Sequence, residues 1–516
     1  MQLIRTGKFI LLLTACYYFL PSYAQKARID DYFIKIAALH QLNGNILVAE
    51  NGQMLAGKSC GYADFETRQP NTVSARYNLA SISKLFTATA VLQLRDKGKF
   101  SLADHFTKYF PDFPFAGISI RHLLTHTSGL PDLELFEDLI QQYPDTVITN
   151  KNILPELKKW KRGLYFKPGD QYQYCNVGYS LLAMLVEKVS GMAFYVYLDK
   201  RIFKPAAMQD SYLGLYPGHT DKQDKRCVRM HAQPHPYYDS TYYYVDSLHR
   251  FRYTDHNCSG MTGEANIIAT TTDLLQFDRA IFDGRLLKHS TMEEAVTPVK
   301  LNNGQTWFGP MDTMLGEGKM AVGLGWDIFV QPGYGISVGH GGFKFGLATF
   351  YFHSLEKKQV IIAFDNTAGS EFGRIVTSAL FLLNGKEPME TRNKHSLAFV
   401  YGNNLVKRGP DAAACAFNAA KRDTAHYYLS EWEFNQLGGN LLYGSSFNGH
   451  QDLALEVFKI NTLLFPNSFN TYDSYAAGLK EAGKRQEAIS MYQESIDLNP
   501  NNDDGKKALR ELLENN

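Results

Sequence analysis

The residues best suited to chemistry begin with Ser81 and Lys84, an S-x-x-K pair at the start of a predicted helix. This spacing places the hydroxyl and the ammonium one turn apart on one face, with Ser81 at the positive end of the helix dipole. A serine hydroxyl is a weak nucleophile until a neighbour takes its proton, and a lysine at this spacing can do so. The same pattern recurs at Ser354 and Lys357. The alternative to a catalytic pair is that Ser81 is only an N-cap residue and Lys84 is a solvated surface lysine.

A second element, Y-x-N at 174–176, lies on a predicted loop that enters the helical pattern 177–189. Tyr174 can move a proton between Ser81 and a leaving group, because a nearby cation lowers the free energy cost of a phenolate. The same pattern at 401–403 falls beyond the predicted sheet. The position in the chain therefore favours Tyr174.

A third element, His340-Gly341-Gly342-Phe343, enters a predicted strand. Small residues let a substrate backbone approach a strand edge, and a main-chain N–H can point at a developing oxyanion. The alternative for the two glycines is a tight turn. A competing K-x-G triplet follows at 344–346. Position alone therefore favours the segment that begins at His340.

Taken in this order, S-x-x-K, Y-x-N and H-x-G resemble the serine β-lactamase and penicillin-binding-protein superfamily, in its class C-like branch. The resemblance covers about 29–386. Its flanking segments also agree, namely Asn78-Leu79-Ala80, the stretch 120–130, Gly323-Leu324-Gly325-Trp326 and Asn366. The resemblance implies a serine β-lactamase/DD-peptidase-like fold of the α/β (α+β) class, an antiparallel sheet flanked by helices plus a helical domain.

The resemblance also implies a mechanism. Ser81 would be the acylated nucleophile, Lys84 its hydrogen-bonding partner, and Tyr174 the general base and then the general acid. The expected activity is cleavage of an amide or ester bond in a β-lactam, a D-amino-acid peptide or a small ester, without a metal or an organic cofactor. The alternatives are a cell-wall D,D-peptidase, or a binding protein in which the hydrolase domain is incidental.

The expected substrate-binding residues surround the reacting carbonyl: Asn176, His340, Gly341, Gly342 and Phe343. Asn176 would hold a substrate amide oxygen, and the N–H groups of Ser81 and Phe343 would form the oxyanion hole. His340 would stand where many relatives carry a lysine that helps to bind the substrate carboxylate. It is neutral through much of the physiological pH range, which weakens the case for a carboxylate substrate. Cys175 also departs from the usual Ser or Ala.

The elements that position these residues follow from the sequence pattern. Asn51-Gly52 between apolar runs predicts a hairpin, because both turn residues must accept positive φ. Apolar spacing predicts a helix from Ser81 to about Lys97, ended by Gly98. Strands are predicted again at 336–338, 347–352 and 360–364, before a helix at 374–383. Strands at both ends predict one domain over 26–386, with a sheet that joins its N- and C-terminal segments.

The first 24 residues predict a signal peptide. Arg5 and Lys8 precede an apolar run too short to span a bilayer, and Ser22-Tyr23-Ala24 forms a small-residue cleavage site. A competing lipobox ends at Cys16, but the apolar residues that follow it make a poor tether. We expect an exported protein, periplasmic or secreted, with no transmembrane segment in the mature chain.

Charge and cysteine content exclude several classes. The 516 residues contain 53 Lys and Arg against 52 Asp and Glu, and removing segment 1–24 leaves 51 basic residues and a net charge of −1. Such balance argues against a nucleic-acid partner and favours a small-molecule or peptide substrate. Five cysteines remain in the mature chain, which is not a disulfide framework. Cys227 and Cys258 either bridge one long loop or remain thiols.

The C-terminal part repeats itself with a period of 34 residues. After a connecting segment at 387–430, the stretch 431–516 resembles helical tetratricopeptide (TPR) repeats, with five matched pairs: Gly449 and Gly483, Ala454 and Ala488, Phe458 and Tyr492, Leu464 and Leu498, Pro466 and Pro500. Two repeats alone bury too little apolar surface to be stable. We therefore expect that residues 412–434 supply a third helical pair or that the array docks on the hydrolase domain. The repeats either bind a protein partner or form a structural cap.

A Tyr-rich stretch at 217–257 predicts one further feature. It contains Tyr237, Tyr238, Tyr242, Tyr243, Tyr244 and Tyr253. It forms either a lid over the cleft or an insertion that packs on itself.

Overall fold

The chain folds into two units. The first comprises the described residues up to Ala232 and from Tyr244 to Glu390, and the second comprises 233–243 and the described residues from Thr391 onward. The computed structural model describes residues 24–216, 219–220, 224–248, 257–310, 315, 318–391, 393–443 and 450–514. The expected signal peptide up to residue 23, Cys16, Tyr253 and Gly449 lie outside these residues.

An eight-stranded antiparallel sheet forms the centre of the first unit. Its strands, numbered in chain order, are β1 Gly44–Glu50, β2 Gln53–Cys60, β3 Gly309–Pro310, β4 Lys319–Val322, β5 Asp327–Gln331, β6 Gly335–Lys344, β7 Leu347–Ser354 and β8 Gln359–Asp365. Their order in the sheet is β3-β4-β5-β6-β7-β8-β1-β2. The expected pairing of the N- and C-terminal strands is confirmed, since Gly44 lies opposite Asp365. Asn51 and Gly52 have positive φ in the predicted hairpin turn.

Alternation along the central strands fills two separate cores. In β8, Ile362 and Phe364 belong to the larger core, whereas Ile361 and Ala363 belong to a second core on the opposite face. Successive side chains in a strand point to opposite faces, so one continuous apolar run serves both cores. The sheet is therefore a rigid platform for β6, which carries the H-x-G segment.

Helices cover both faces of the sheet. Besides 24–38, those of the first unit are Ser83–Asp96, Ile120–Leu124, Glu137–Gln142, Asn150–Lys159, Asn176–Ser190, Phe194–Leu198, Lys204–Ala206, Thr271–Phe282, His289–Ala295 and Phe372–Leu383. A small sheet pairs Tyr77–Asn78 and Tyr212–Leu213 with Ile267–Ala269. Other short strands are Tyr62–Asp64, Gln69–Pro70, Leu215–Tyr216 and His219–Thr220.

The helix expected from Ser81 begins differently. Ser81 lies in a 3-10 turn, Ala80–Ile82, and the α-helix begins only at Ser83. Ala80 has φ 46°, a left-handed conformation that bends the chain into a tight turn before the helix. The helix ends at Asp96, and Gly98 follows with φ 68°, as its sequence position predicts.

The second unit is helical in its described part. Its helices are Leu397–Arg408, Pro410–Lys421, Glu431–Tyr443, Gln451–Leu464, Phe469–Glu481, Arg485–Leu498 and Asp503–Glu514, and one short parallel pair joins His395–Ser396 to Tyr427–Tyr428. The first two helices fall within 387–430, which was expected to be a connecting segment. Apolar residues such as Leu397, Leu405 and Phe417 give these helices a buried face that connecting sequence lacks.

Two members of the Tyr-rich stretch, Tyr237 and Tyr238, pack inside the second unit. Tyr238 lies in one core with Leu397 and Tyr401, and its carbonyl accepts a hydrogen bond from Asn403 at 2.7 Å. The segment 233–243 belongs to the second unit, and the alternative of a lid over the cleft stays a prediction. Tyr401 also serves packing in this unit, which agrees with its exclusion as a catalytic tyrosine.

Two further sequence predictions can be compared with the structure. Within the described residues no single helix is long and apolar enough to cross a membrane, and one bent pair, Asn176–Ser190 with Phe194–Ala206, passes that test jointly. Cys227 and Cys258 are both thiols. The sulfur of Cys227 lies 3.0 Å from the Tyr212 hydroxyl, whereas Cys258 lines the cleft of the first unit.

Candidate active site

A cleft of about 460 Å³ lies beside β6 in the first unit. Its walls include seven of the eight expected site residues, Ser81, Tyr174, Asn176, His340, Gly341, Gly342 and Phe343. The eighth, Lys84, is fully buried beneath Ser81. The three sequence motifs, separated by more than 250 residues, therefore meet in one place.

Hydrogen bonds fix the approach to Ser81. The Leu79 N–H donates to the Ile267 carbonyl at 2.7 Å, and the Ala80 N–H donates to the Asn78 side chain at 2.9 Å. From β7, the Thr349 hydroxyl donates to the Leu79 carbonyl at 2.9 Å. The turn that carries Ser81 is thus attached both to the small sheet and to the large one.

Gly342 lets β6 pass close to this turn. A Cβ at this position would lie 2.7 Å from the Leu79 carbonyl oxygen and 2.3 Å from the Thr349 hydroxyl. Distances this short are forbidden, so any side chain would push the strand away from the turn. The glycine therefore has a steric function in the strand, and the alternative of a tight turn at 341–342 is wrong because β6 continues to Lys344.

The amine of Lys84 contacts three oxygen atoms. Its Nζ lies 3.1 Å from Ser81 Oγ, 2.8 Å from Asn176 Oδ1 and 2.9 Å from the Glu264 carbonyl oxygen. The Glu264 carboxylate is 3.9 Å away. Because the side chain is fully buried, it is not the solvated lysine of the alternative interpretation.

Burial controls the protonation of this amine. Desolvation lowers the pKa of Lys84 from 10.5 to about 8, against the raising effect of Glu264 and Asp132. A lysine with a pKa near 8 has an appreciable neutral fraction at neutral to mildly basic pH. It can therefore act as a base, which an ordinary surface lysine cannot do.

The pKa of Tyr174 is shifted in the direction opposite to that of Lys84. Burial raises its pKa well above the ordinary value, and a hydrogen bond with Ser81 lowers it only in part. Its ring stacks on His126 at a centroid distance of 4.4 Å, and the Lys84 amine lies 4.8 Å from the ring centroid. The tyrosine is held in place as a neutral phenol.

His126 is a neutral support for the Y-x-N segment. Its Nδ1 accepts a hydrogen bond from the Cys175 N–H at 3.0 Å, and burial lowers its pKa well below the ordinary value. The neighbouring Cys175 is buried, with its sulfur 3.7 Å from the Pro131 carbonyl. The cysteine in the middle of Y-x-N thus points away from the chemistry.

Asp132 positions Asn176, and the sequence patterns did not single it out. Its carboxylate accepts from the Asn176 and Val177 N–H groups at 2.6 and 3.0 Å, and from Asn176 Nδ2 at 2.8 Å. It therefore caps the Asn176–Ser190 helix from a distant segment and turns Asn176 Oδ1 toward Lys84. The only sequence signal was an acidic residue just after the recognised stretch 120–130.

The H-x-G end of the cleft contains a second carboxylate that sequence reasoning missed. Asp327 lines the cleft, and its Oδ2 lies 3.9 Å from His340 Nδ1. At the other end of β6, Lys344 also lines the cleft and donates to Asn266 Oδ1 at 2.8 Å. Glu264, equally unpredicted, lines the floor. Lys344 belongs to the competing K-x-G triplet, so the lysine of this triplet lines the same cleft as His340.

Residues 30–383 match the sequence profile of the beta-lactamase family. The chain belongs to this family. Penicillin-binding protein 4* of Bacillus subtilis is 30% identical over 344 residues, which cover 66% of this chain and 72% of that protein. Protein flp of Staphylococcus aureus is 29% identical over 177 residues, or 33% of this chain and 34% of that protein. The similarity to flp thus spans about a third of its length.

Solved structures show the same fold. The octameric penicillin-binding protein homologue from Pyrococcus abyssi aligns with a TM-score of 0.57 and 24% identity, over 70% of this chain and 78% of that one. D-amino acid amidase from Ochrobactrum anthropi SV3, complexed with L-phenylalanine amide, aligns with a TM-score of 0.56 and 23% identity, over 70% and 99%. The first unit therefore has the β-lactamase/DD-peptidase-like fold, and members of this family are generally serine hydrolases.

Substituting Gly342 with alanine tests the close approach of β6. We expect Gly342→Ala to remain folded but to lose about 100-fold in acylation rate, because a displacement of about 1 Å at a reacting centre has that cost. Gly117→Ala is the control, since nothing lies within 4 Å of its added Cβ. Both variants should be compared by circular dichroism and by the labelling rate with a fluorophosphonate. Equal rates would contradict the steric function of Gly342.

Asp132→Asn tests the cap on Asn176. One carboxylate oxygen becomes an amide N–H₂ that cannot accept, so we expect the free energy of unfolding to fall by about 1–3 kcal/mol. Labelling should slow as well, because Asn176 Oδ1 loses its fixed direction. Urea denaturation measures the first effect, and a labelling time course measures the second. A variant with unchanged stability and labelling would show that Asp132 does not hold Asn176.

Proposed function

We propose that the chain is an exported serine hydrolase of the class C β-lactamase-like branch, which cleaves an amide or ester bond through an acyl-enzyme on Ser81. The observation that carries this proposal is the fully buried Lys84 amine, 3.1 Å from Ser81 Oγ. Burial destabilises the charged form of this amine more than Glu264 and Asp132 stabilise it, and the compensating gain is a base placed beside a nucleophile.

The first step is proton transfer from Ser81 to neutral Lys84. A neutral amine has two N–H bonds and one lone pair, and two of its three oxygen contacts, Asn176 Oδ1 and the Glu264 carbonyl, can only accept. The lone pair is then left for the Ser81 O–H. This arrangement favours Lys84 as the base for acylation. Tyr174, expected from the resemblance to fill this role, is better suited to passing a proton because burial disfavours its phenolate.

Acylation then forms a bond between Ser81 Oγ and the substrate carbonyl carbon. Charge develops on the carbonyl oxygen, and the N–H groups of Ser81 and Phe343 are the proposed donors to it. The close passage of β6 at Gly342 supports this pairing, since it brings the two backbones side by side. The proton taken from Ser81 reaches the leaving group through Tyr174 as the scissile bond breaks. Water attacks the acyl-enzyme in the same way and releases the acid.

The proposed substrate is a β-lactam, a D-amino-acid peptide or a small ester, with a cell-wall D,D-peptidase as the alternative. Pairing between β5 and β6 stops at Asp327 and Gly339, just before the segment 340–344 of β6 that lines the cleft. An extended substrate backbone can bind there as an added strand. The names of the similar penicillin-binding protein and D-amino acid amidase agree with a compound of amide type.

We also propose that the second unit contains TPR-like helical pairs that either hold a protein partner or form a cap. Residues 34 apart take equivalent places, since Ala454 and Ala488 are both fully buried near the start of the helices Gln451–Leu464 and Arg485–Leu498, between which lies the helix Phe469–Glu481. The Phe458 ring packs where a Cβ on Gly438 or Gly478 would collide with it. Small residues against an aromatic ring are typical of such repeats.

Ser81→Ala tests the proposed nucleophile. We expect loss of covalent labelling by a fluorophosphonate and a fall in ester turnover of at least about 1000-fold, because the acyl-enzyme cannot form. Ser354→Ala is the matched control, since that serine begins the other S-x-x-K and lies on β7. Intact-mass spectrometry detects the adduct. Labelling that survives in Ser81→Ala, or disappears in Ser354→Ala, would overturn the assignment.

A further inference from the structure

One end of the cleft combines a carboxylate with an aromatic ring. Asp327 and Tyr172 both line the cleft, and the Tyr172 ring stacks on Trp307 at a centroid distance of 3.9 Å. Asp327 is 3.9 Å from His340. The Asp327 carboxylate raises the pKa of Tyr172, after burial as the main cause.

The order of residues along β6 shows which part of a substrate meets this end. If Phe343 N–H contacts the oxyanion, the reacting carbonyl lies level with Gly342 and Phe343. Tyr174, which hands the proton to the departing group, has its ring 6.2 Å from that of His340. The leaving group therefore lies toward His340 and Asp327, and the acyl part lies toward Lys344.

We propose that Asp327 and Tyr172 form a leaving-group subsite that selects departing groups bearing an ammonium and rejects those bearing a carboxylate. This inference rests on the proposed acyl-enzyme function and narrows its substrate class. It concerns the same site, and it names Asp327 as a specificity-determining residue that sequence patterns did not reveal.

The charge of the subsite carries this inference. With a neutral His340 imidazole the pair with Asp327 has a charge of −1, and with an imidazolium it is neutral. Neither state supplies the net positive charge that a substrate carboxylate needs. The buried Lys84 amine is already surrounded by Ser81, Asn176 and Glu264. Lys344, the one lysine or arginine among the described residues that line the cleft, lies at the opposite end of this segment of β6. A departing carboxylate would therefore face repulsion from Asp327.

A cation in the same place gains two contacts. Its charge meets the Asp327 carboxylate, and its methyl or methylene groups meet the face or edge of the Tyr172 ring. Carboxylates and aromatic rings together are the groups that bind ammonium ions in proteins. β-Lactams and peptides ending in D-alanine both carry a carboxylate on the departing side. The subsite therefore favours esters or amides of amine-bearing groups within the proposed substrate class.

Three thioesters with one acyl group test the proposal. Benzoylglycyl thioesters of mercaptoacetate, N-methylmercaptoacetamide and thiocholine have departing groups with charges of −1, 0 and +1, and thiol release gives kcat/KM for each. We expect thiocholine to be best and mercaptoacetate to be about tenfold worse than the neutral amide, with the differences shrinking at high salt. In Asp327→Asn, and in Asp327→Ser as a second variant, the three values should converge to within about threefold.

Asp112→Asn is the control, because its side chain is largely exposed on the surface. It should retain the wild-type order of the three substrates. A wild-type preference for mercaptoacetate, or charge discrimination that survives in both Asp327 variants, would overturn the subsite. Turnover that depends on Ser81 would in that case still support the proposed hydrolase function. Turnover that persists in Ser81→Ala, or no turnover of any thioester, would instead overturn the acyl-enzyme function and this inference with it.

Discussion

The burial of one lysine amine is the constraint on which the rest of the site depends. Lys84 has no solvent exposure, and the groups that compensate for this are the neighbouring Ser81 and two from distant segments, Asn176 and Glu264. A buried amine without such partners would cost several kcal/mol. The fold must therefore hold these segments together whether or not substrate is bound. The same burial lowers the pKa of Lys84 to about 8 and thereby prepares it to act as a base.

Two supporting contacts keep this arrangement in register. On one side, Asp132 caps the Asn176–Ser190 helix and fixes the direction of the Asn176 amide. On the other side, Gly342 allows β6 to lie against the turn at Leu79 and Ala80, which sets the height of the strand relative to Ser81. Neither residue needs to touch substrate. Each controls the position of a residue that the proposed mechanism uses, which is how precise geometry is obtained from rigid elements.

The sequence was informative where chemistry depends on local spacing. The S-x-x-K spacing, the Y-x-N triplet and the apolar strands at both ends of the domain predicted which elements would come together, and the sheet order agrees. The sequence was uninformative where function depends on charged residues that lie far apart along the chain. Asp132, Glu264 and Asp327 lie in no motif of their own, and only the folded chain brings them to the cleft. Ala80 was missed for another reason, because positive φ in a non-glycine residue follows from tertiary contacts.

The C-terminal part of the chain shows a similar division. The 34-residue register indicated helical pairs, and helices occur there. The segment 233–243 belongs to the second unit, although it is far from it in sequence. Tyr238 provides the reason, because its ring is buried among Leu397 and Tyr401. A cluster of tyrosines in a sequence indicates side chains with large apolar surfaces to be buried. It does not indicate which part of the chain they pack against.

The pH dependence of Ser81 acylation tests the central claim most directly. The pKa of Lys84 is lowered, so its neutral form grows as pH rises, and the labelling rate with an uncharged fluorophosphonate should increase about tenfold per pH unit below 8 and then level off. Lys84→Arg should lack this rise, because a guanidinium stays protonated. A rate that is constant between pH 6 and 10 in the wild type, or a rise that persists in Lys84→Arg, would contradict the role of Lys84 as the base.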